Sequence, residues 1–88
     1  MLNSERKAIK VGQLLTLLNQ RMMRHPETSK CRILSISPIS NPPKGQCNWS
    51  SSVTWNAHGE NRDLAMPIVR RLVNNAQKEF NILPIGQS

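Results

Sequence analysis

Aromatic and acidic residues are the scarcest classes in this sequence of 88 residues. It has two tryptophans, one phenylalanine and no tyrosine, and five acidic residues oppose twelve lysines and arginines. The lack of carboxylates leaves few groups for general acid–base chemistry, and the net charge of +7 favours polyanions or an acidic protein face as partners. The short length predicts one domain with a single small core.

Features that define other classes of protein are also missing. No apolar run is long enough to span a bilayer, and the charged residues 1–10 lack the apolar stretch of a signal peptide. Two cysteines do not make the disulfide framework of a small secreted protein. We therefore expect a cytoplasmic protein with no membrane partner.

The most regular pattern lies in residues 47–55. Here Cys47, Trp49, Val53 and Trp55 alternate with polar residues, which is typical of a strand that is buried on one face. Because the segment holds both tryptophans, it should mark the core. The polar side chains of the opposite parity form a candidate exposed strand face: Asn48, Ser50, Ser52 and Thr54.

Two amphipathic helices are predicted, at residues 10–24 and 63–81. The apolar face of the first consists of Val11, Leu14, Leu15, Leu18 and Met22. The predicted buried stripe of the second consists of Leu64, Ile68, Leu72, Ala76 and Phe80, with Val69 and Val73 beside it. Asn61 or Asp63 can cap the second helix, and Pro67 fits only near its first turn.

A first strand is predicted at residues 31–37, and a loop rich in proline separates it from residues 47–55. The two strands should pair antiparallel. If Ile36 faces Cys47, then Leu34 faces Trp49, and these four side chains form one apolar patch. In that register Cys31 lies on the opposite face from Cys47, which disfavours a disulfide between them.

The order helix, strand, strand, helix predicts an α+β domain of two layers. In this α-β-β-α arrangement the antiparallel hairpin packs against both helices. The expected bounds are a flexible tail at 1–9, the domain at 10–83 and a second flexible tail at 84–88. Two strands alone are marginal in water, so a third strand could come from residues 8–11 or from a second subunit. If the third strand comes from a second subunit, the protein is a homodimer that pairs through the hairpin edge.

Candidate catalytic and metal-binding sets are weak. Cys47 and His58 lie near opposite ends of the predicted strand, too far apart for a Cys–His pair. No two of the cysteines and histidines have the two-to-five-residue spacing of a structural zinc site. We therefore predict no catalytic residue, no metal and no cofactor.

Basic residues give the strongest compositional signal for a partner. One group surrounds the end of the first helix and the start of the first strand, and another lies midway along the second helix. If they converge, they could neutralise phosphates or an acidic protein face, whereas a solvated charged surface is the simpler alternative. The candidate anion-binding or partner-binding residues are Arg21, Arg24, Lys30, Arg32, Arg70 and Arg71.

The segment Gly45-Gln46-Cys47-Asn48-Trp49-Ser50 resembles a group of small uncharacterised proteins of alphaproteobacteria and their prophages. The resemblance includes Val11-Gly12-Gln13-Leu14 upstream and Glu79-Phe80-Asn81 at the end of the predicted second helix. The resemblance covers most of the chain, and its distinctive part is Gly-x-Cys-Asn-Trp-Ser. It implies a bacterial, cytoplasmic, compact α+β protein and brings no activity and no functional residues. Small prophage-type proteins often bind and block a host factor.

We therefore expect a small, basic, non-enzymatic binding protein that docks on the acidic face of another protein, as a prophage-type inhibitor or accessory factor would. The alternative is a nonspecific nucleic-acid-binding protein that uses a basic patch. Two observations argue against sequence-specific recognition of nucleic acid. A hairpin separates the two helices, so they do not form a helix-turn-helix. Both tryptophans are expected in the core, so neither is free to stack on bases. A small enzyme or metalloprotein is the third class considered.

Overall fold

The computed structural model describes residues 6–83, which form two α-helices and two small sheets of two strands each. The α+β class and the antiparallel hairpin are thus confirmed. In chain order the elements are β1 (Lys7–Ile9), α1 (Val11–Met22), a 3-10 turn (Pro26–Thr28), β2 (Arg32–Ser35), β3 (Thr54–Asn56), α2 (Arg62–Glu79) and β4 (Phe80–Ile82). The predicted tails include residues 1–5 and 84–88, which lie outside the described residues.

The two ends of the described chain pair with each other. β1 and β4 are parallel neighbours, with Lys7 opposite Phe80 and Ile9 opposite Ile82. The backbone N–H of Leu83 extends the pairing by donating to the Ile9 carbonyl at 2.9 Å. Residues 7–9, assigned to the N-terminal tail by the sequence pattern, therefore form a strand, but one that pairs with the C-terminal segment and not with the hairpin.

The register of the antiparallel pair differs from the predicted one. Ile33 lies opposite Trp55, and Pro38 lies opposite Trp49 in an isolated bridge. The predicted pairing of Leu34 with Trp49 is wrong. Ile33 takes the buried position instead, while Leu34 is 55% exposed.

Serines interrupt the predicted strand at residues 47–55 and shift its pairing. The Ser50 hydroxyl oxygen accepts a hydrogen bond from the Ser52 N–H at 3.0 Å, and the Ser51 carbonyl accepts one from the Val53 N–H at 3.0 Å. Short polar side chains that bind nearby backbone in this way compete with the ladder of a sheet. Regular pairing therefore resumes only at β3.

α1 buries the apolar face that its period predicts. Leu14, Leu18 and Met22 are fully buried, and the helix ends at Met22, two residues before the predicted end. The hydroxyl of the buried Thr28 donates to the Met22 carbonyl at 2.7 Å. This bond satisfies one of the carbonyls that every helix leaves free at its C-terminus.

Asn19 attaches α1 to the open edge of β2. Its carboxamide donates to the Ile33 carbonyl at 3.2 Å and accepts from the Ile33 N–H at 2.7 Å. The side chain thus takes the place that a neighbouring strand would occupy. A second subunit that paired with this edge would have to displace Asn19.

The buried face of α2 is rotated relative to the predicted stripe. Ala76 of that stripe and the flanking Val69 and Val73 are buried together with Ala65, whereas Leu64 is 61% exposed. The prediction that Leu64 faces the core is therefore wrong. Small alanine side chains allow the helix to approach its neighbours closely, so the face that carries them turns inward although the leucines are larger.

Asn61 caps α2, because its side-chain oxygen accepts hydrogen bonds from the N–H groups of Asp63 and Leu64 at 3.0 and 3.3 Å. Pro67 lies in the second turn of this helix, beyond the predicted first turn. Proline cannot donate to the carbonyl four residues earlier, here that of Asp63. Both residues are exposed, so solvent can bind the free carbonyl.

Candidate functional site

The Cys-Asn-Trp segment joins the hairpin to β4. The Asn48 carboxamide donates to the Ile82 carbonyl at 2.7 Å and accepts from the Ile82 N–H at 2.8 Å, and the Asn48 N–H donates to the Asn81 side chain at 3.1 Å. Asn48 is half-buried. This residue of the predicted exposed face is thus committed to holding the fold together.

Trp49 completes this connection from the core. It is fully buried, and its indole N–H donates to the Phe80 carbonyl at 3.0 Å. The Trp49 carbonyl accepts from the Gln77 side chain at 3.0 Å and from the Cys47 thiol at 3.1 Å. We call the contacts of Asn48 and Trp49 with β4 the Asn-Trp clasp.

The rest of the predicted polar row is divided. Ser50 is half-buried, whereas Ser52 and Thr54 are exposed. The apolar parity is divided as well, because Cys47 is buried while Val53 and Trp55 are only half-buried. The alternation therefore predicts the buried side chains correctly near Trp49. After the serines it no longer separates buried from exposed side chains.

The two cysteines are free and buried, and both thiols have backbone acceptors. Burial, with a smaller contribution from Glu60, raises the pKa of the Cys31 thiol. A buried, protonated thiol is a poor nucleophile. Among residues 6–83, no group of three or more His, Cys, Asp or Glu side chains is placed to hold a metal ion.

Arg21, one of the six basic candidates, already has a partner. Its guanidinium binds Glu79 through two hydrogen bonds of 2.7 and 3.1 Å. Arg24, Lys30 and Arg32 are exposed, and Arg32 donates to the Cys31 carbonyl at 2.8 Å. The remaining two candidates lie on α2 and line two depressions that contain none of these four residues.

We expect the Arg21–Glu79 pair to stabilise the fold only slightly, and only above acidic pH. The hydrogen bond from Arg21 lowers the pKa of Glu79, so the stabilisation is present above the pKa of the unfolded carboxyl and is lost as pH falls through the lower folded value. Since the side chains are 28% and 44% exposed, the gain is at most about 1 kcal/mol. The free energies of unfolding of Glu79→Gln and the wild type, measured in urea, should therefore differ by this small amount at neutral pH, and the difference should disappear in acid. If the two free energies of unfolding differ as much in acid as at neutral pH, the Arg21–Glu79 pair is not the source of the difference.

Arg70 and Arg71 do lie together, on the outer side of α2. They share a groove with a third cation, Lys78, and with one acidic residue, Asp63. The repeat at residues 70, 74 and 78 places these positions in one row, because residues four apart in a helix are neighbours. We call this surface the α2 face; its residues are Asp63, Met66, Pro67, Arg70, Arg71, Asn74, Asn75 and Lys78.

A second depression adjoins the α2 face. It has a volume of about 400 Å³ and lies between the serine segment and α2. Trp55 contributes to it, and the Arg62 guanidinium covers the Trp55 ring at 4.2 Å from the ring centre. We call this depression the serine cleft; its residues are Ser51, Ser52, Val53, Trp55, Met66, Val69, Arg70, Val73 and Asn74.

The sequence reasoning missed Met66, Pro67 and Asn75 as surface-site residues. The signal that could have found them is the phase of α2. Once Ala65, rather than Leu64, is taken as the first buried position, Pro67 and Asn75 fall on the outer face and Met66 lies half-buried at its border.

None of the described helices is long and apolar enough to cross a membrane. Comparison with protein-family models, with curated proteins and with solved structures gives no match. The site must therefore be interpreted from its own geometry.

Proposed function

We propose that this protein is a non-enzymatic binding protein that docks on an acidic surface of another protein through the α2 face. The observation that carries the proposal is the charge of this face, where Arg70, Arg71 and Lys78 are exposed and accompanied by one acidic residue. Within residues 6–83 the single ion pair is Arg21–Glu79, so none of these three cations is in an ion pair there. Such a face attracts an acidic partner and guides its approach.

Apolar groups beside the cations favour a protein partner. Met66 and Pro67 belong to the α2 face, and the neighbouring Leu64 is 61% exposed. Arginine and methionine are enriched in protein interfaces. Binding of single-stranded nucleic acid usually adds exposed aromatic rings, whereas here Trp49 is buried and Trp55 lies under Arg62.

Nonspecific nucleic-acid binding is the second candidate function. It is favoured by the excess of basic residues, since every lysine and arginine except Arg21 lies outside the one ion pair of the described segment. Contacts to phosphates alone would suffice for such binding and would weaken steeply with salt.

The test uses two charge-reversed proteins of equal net charge. Arg70→Glu/Arg71→Glu/Lys78→Glu alters the α2 face, and Arg24→Glu/Lys30→Glu/Arg32→Glu alters exposed cations elsewhere. Each triple lowers the formal charge of +7 by three reversals of two units each. Each protein and the wild type are immobilised and exposed to lysate of the expressing cells, with and without nuclease digestion.

The wild type and the control triple are expected to retain the same acidic protein after nuclease digestion. The α2 triple should bind that protein at least about tenfold more weakly, because close charge pairs across an interface contribute on the order of 1 kcal/mol or more each. Unchanged binding by the α2 triple would contradict the proposal. Loss of all binding on nuclease digestion, with salt-sensitive binding to duplex DNA, would replace it by the nucleic-acid alternative.

We also propose that the hairpin and both helices form the two-layer α-β-β-α body expected from the sequence. A further part of the proposal is that the protein acts in the cytoplasm. Two observations support the two-layer arrangement: α1 contacts both β2 and α2, and α2 shares the serine cleft with Val53 and Trp55. It leaves the outer side of α2 free for a partner.

A further inference from the structure

The serine cleft combines half-buried apolar side chains with a polar rim. The apolar side chains that a ligand can reach are those of Val53, Trp55 and Met66, above the buried Val69 and Val73. Its rim carries the exposed serines Ser51 and Ser52 and the guanidinium of Arg70. Convergent polar groups beside apolar side chains can fix the orientation of a small ligand.

Arg70 gives the cleft its charge. Its Nη2 lies 3.7 Å from the sulfur of Met66, one turn earlier on α2, and Met66 lines the same cleft. No acidic residue is among the residues that line it, and Arg70 is outside the one ion pair of residues 6–83. The guanidinium is therefore available to an anion that enters from solvent.

We propose that the serine cleft binds a small organic anion, namely a carboxylate at the end of an apolar chain. The carboxylate binds Arg70, whose planar guanidinium can donate two parallel hydrogen bonds, and the serine hydroxyls donate to the remaining lone pairs. The apolar chain lies against the half-buried side chains of Val53, Trp55 and Met66. A volume of about 400 Å³ is within the range of small-ligand sites.

This site goes beyond the proposed docking function, because it concerns a small ligand in the serine cleft, although Met66, Arg70 and Asn74 belong to both surfaces. A free carboxylic acid and the C-terminus of a peptide ending in leucine present the same chemistry. Both are therefore used as probes, and their relative affinities identify the source.

The test is a titration of the ¹⁵N-labelled protein followed by two-dimensional NMR. The probes are hexanoate and N-acetyl-alanyl-leucine, and the neutral and cationic controls are hexan-1-ol and hexylamine. The indole N–H signal of Trp55 and the amide signals of residues 51–53 should shift and saturate with hexanoate or the peptide. The indole signal of Trp49, which is buried and bonded to Phe80, should not move.

Two variants separate binding in the cleft from general attraction to a basic protein. Arg70→Gln should weaken hexanoate binding at least about tenfold, whereas Arg71→Gln, which removes the same charge beside the cleft, should change it less than about twofold. Absence of saturable shifts, equal binding of hexan-1-ol, or equal effects of the two variants would each overturn the proposal. These outcomes are independent of the acidic-partner test, in which the α2 triple is scored by protein capture.

Discussion

Replacing Trp49 by alanine is expected to lower the free energy of unfolding by about 3–5 kcal/mol, which is the usual result of truncating a buried aromatic side chain. A chain of 88 residues has a total stability of about 4–13 kcal/mol at ~0.05–0.15 kcal/mol per residue, so this variant is near the limit of folding. The large effect follows from the position of Trp49, which is fully buried and bonded to Phe80.

Trp49→Phe keeps the prediction measurable if the alanine variant does not fold. It retains most of the ring but loses the indole N–H, so the Phe80 carbonyl loses its donor. We expect a loss of about 2 kcal/mol, from the missing hydrogen bond and the smaller ring. Trp55→Phe is the matched control, and it should lose less than about 1 kcal/mol because Trp55 is only half-buried. Urea unfolding followed by circular dichroism gives both values, and equal losses would show that Trp49 has no special role.

Asn48→Ala is expected to destabilise the protein by about 2–3 kcal/mol, at roughly 1–1.5 kcal/mol for each lost hydrogen bond. The alanine removes both bonds to Ile82, whose N–H and carbonyl lie at a residue that is only 4% exposed. The backbone amide of Ile82 should also exchange its hydrogen faster in this variant, since its acceptor is gone.

Asn75→Ala provides the control for Asn48→Ala. Asn75 is exposed on α2, and alanine has the higher helix propensity, so its stability should equal or slightly exceed that of the wild type. If Asn48→Ala unfolds at the same urea concentration as Asn75→Ala, the Asn-Trp clasp does not stabilise the fold.

The sequence predicted features that depend on long periodic patterns. The buried face of α1 is one of them, because Leu14, Leu18 and Met22 repeat at helical spacing over the whole element. The burial of Cys47 and Trp49 is another, since it follows from alternation. Both are local properties of the chain.

Features that depend on tertiary contacts were predicted less well. The parallel pairing of β1 with β4 joins residues about seventy positions apart, and strands of three residues have no period to detect. The register of the hairpin was wrong because serine side chains bind the backbone in the middle of the expected strand. The face of α2 was misassigned at its start, because the larger Leu64 was placed in the core instead of the small Ala65.

The candidate binding residues show the same difference between local patterns and tertiary contacts. Sequence spacing placed Arg70 and Arg71 on one helix, but it could not show that Arg21 binds Glu79, which lies 58 positions away. Nor could it show that Asn48 binds β4 through its side chain. The most distinctive motif of the chain is thus structural in its contacts, and the surface proposed for binding lies on an unremarkable helix.

The central proposal is that the α2 face binds an acidic partner and that its three cations are not needed for the fold. The most direct test measures the thermal midpoint and the capture of an acidic protein on one preparation of Arg70→Glu/Arg71→Glu/Lys78→Glu, beside Arg24→Glu/Lys30→Glu/Arg32→Glu. The prediction is a midpoint within about 5 °C of the wild type, as expected for surface substitutions, together with loss of capture in the first triple alone. Retention of the partner by the first triple, or equal loss in both, would contradict the proposal.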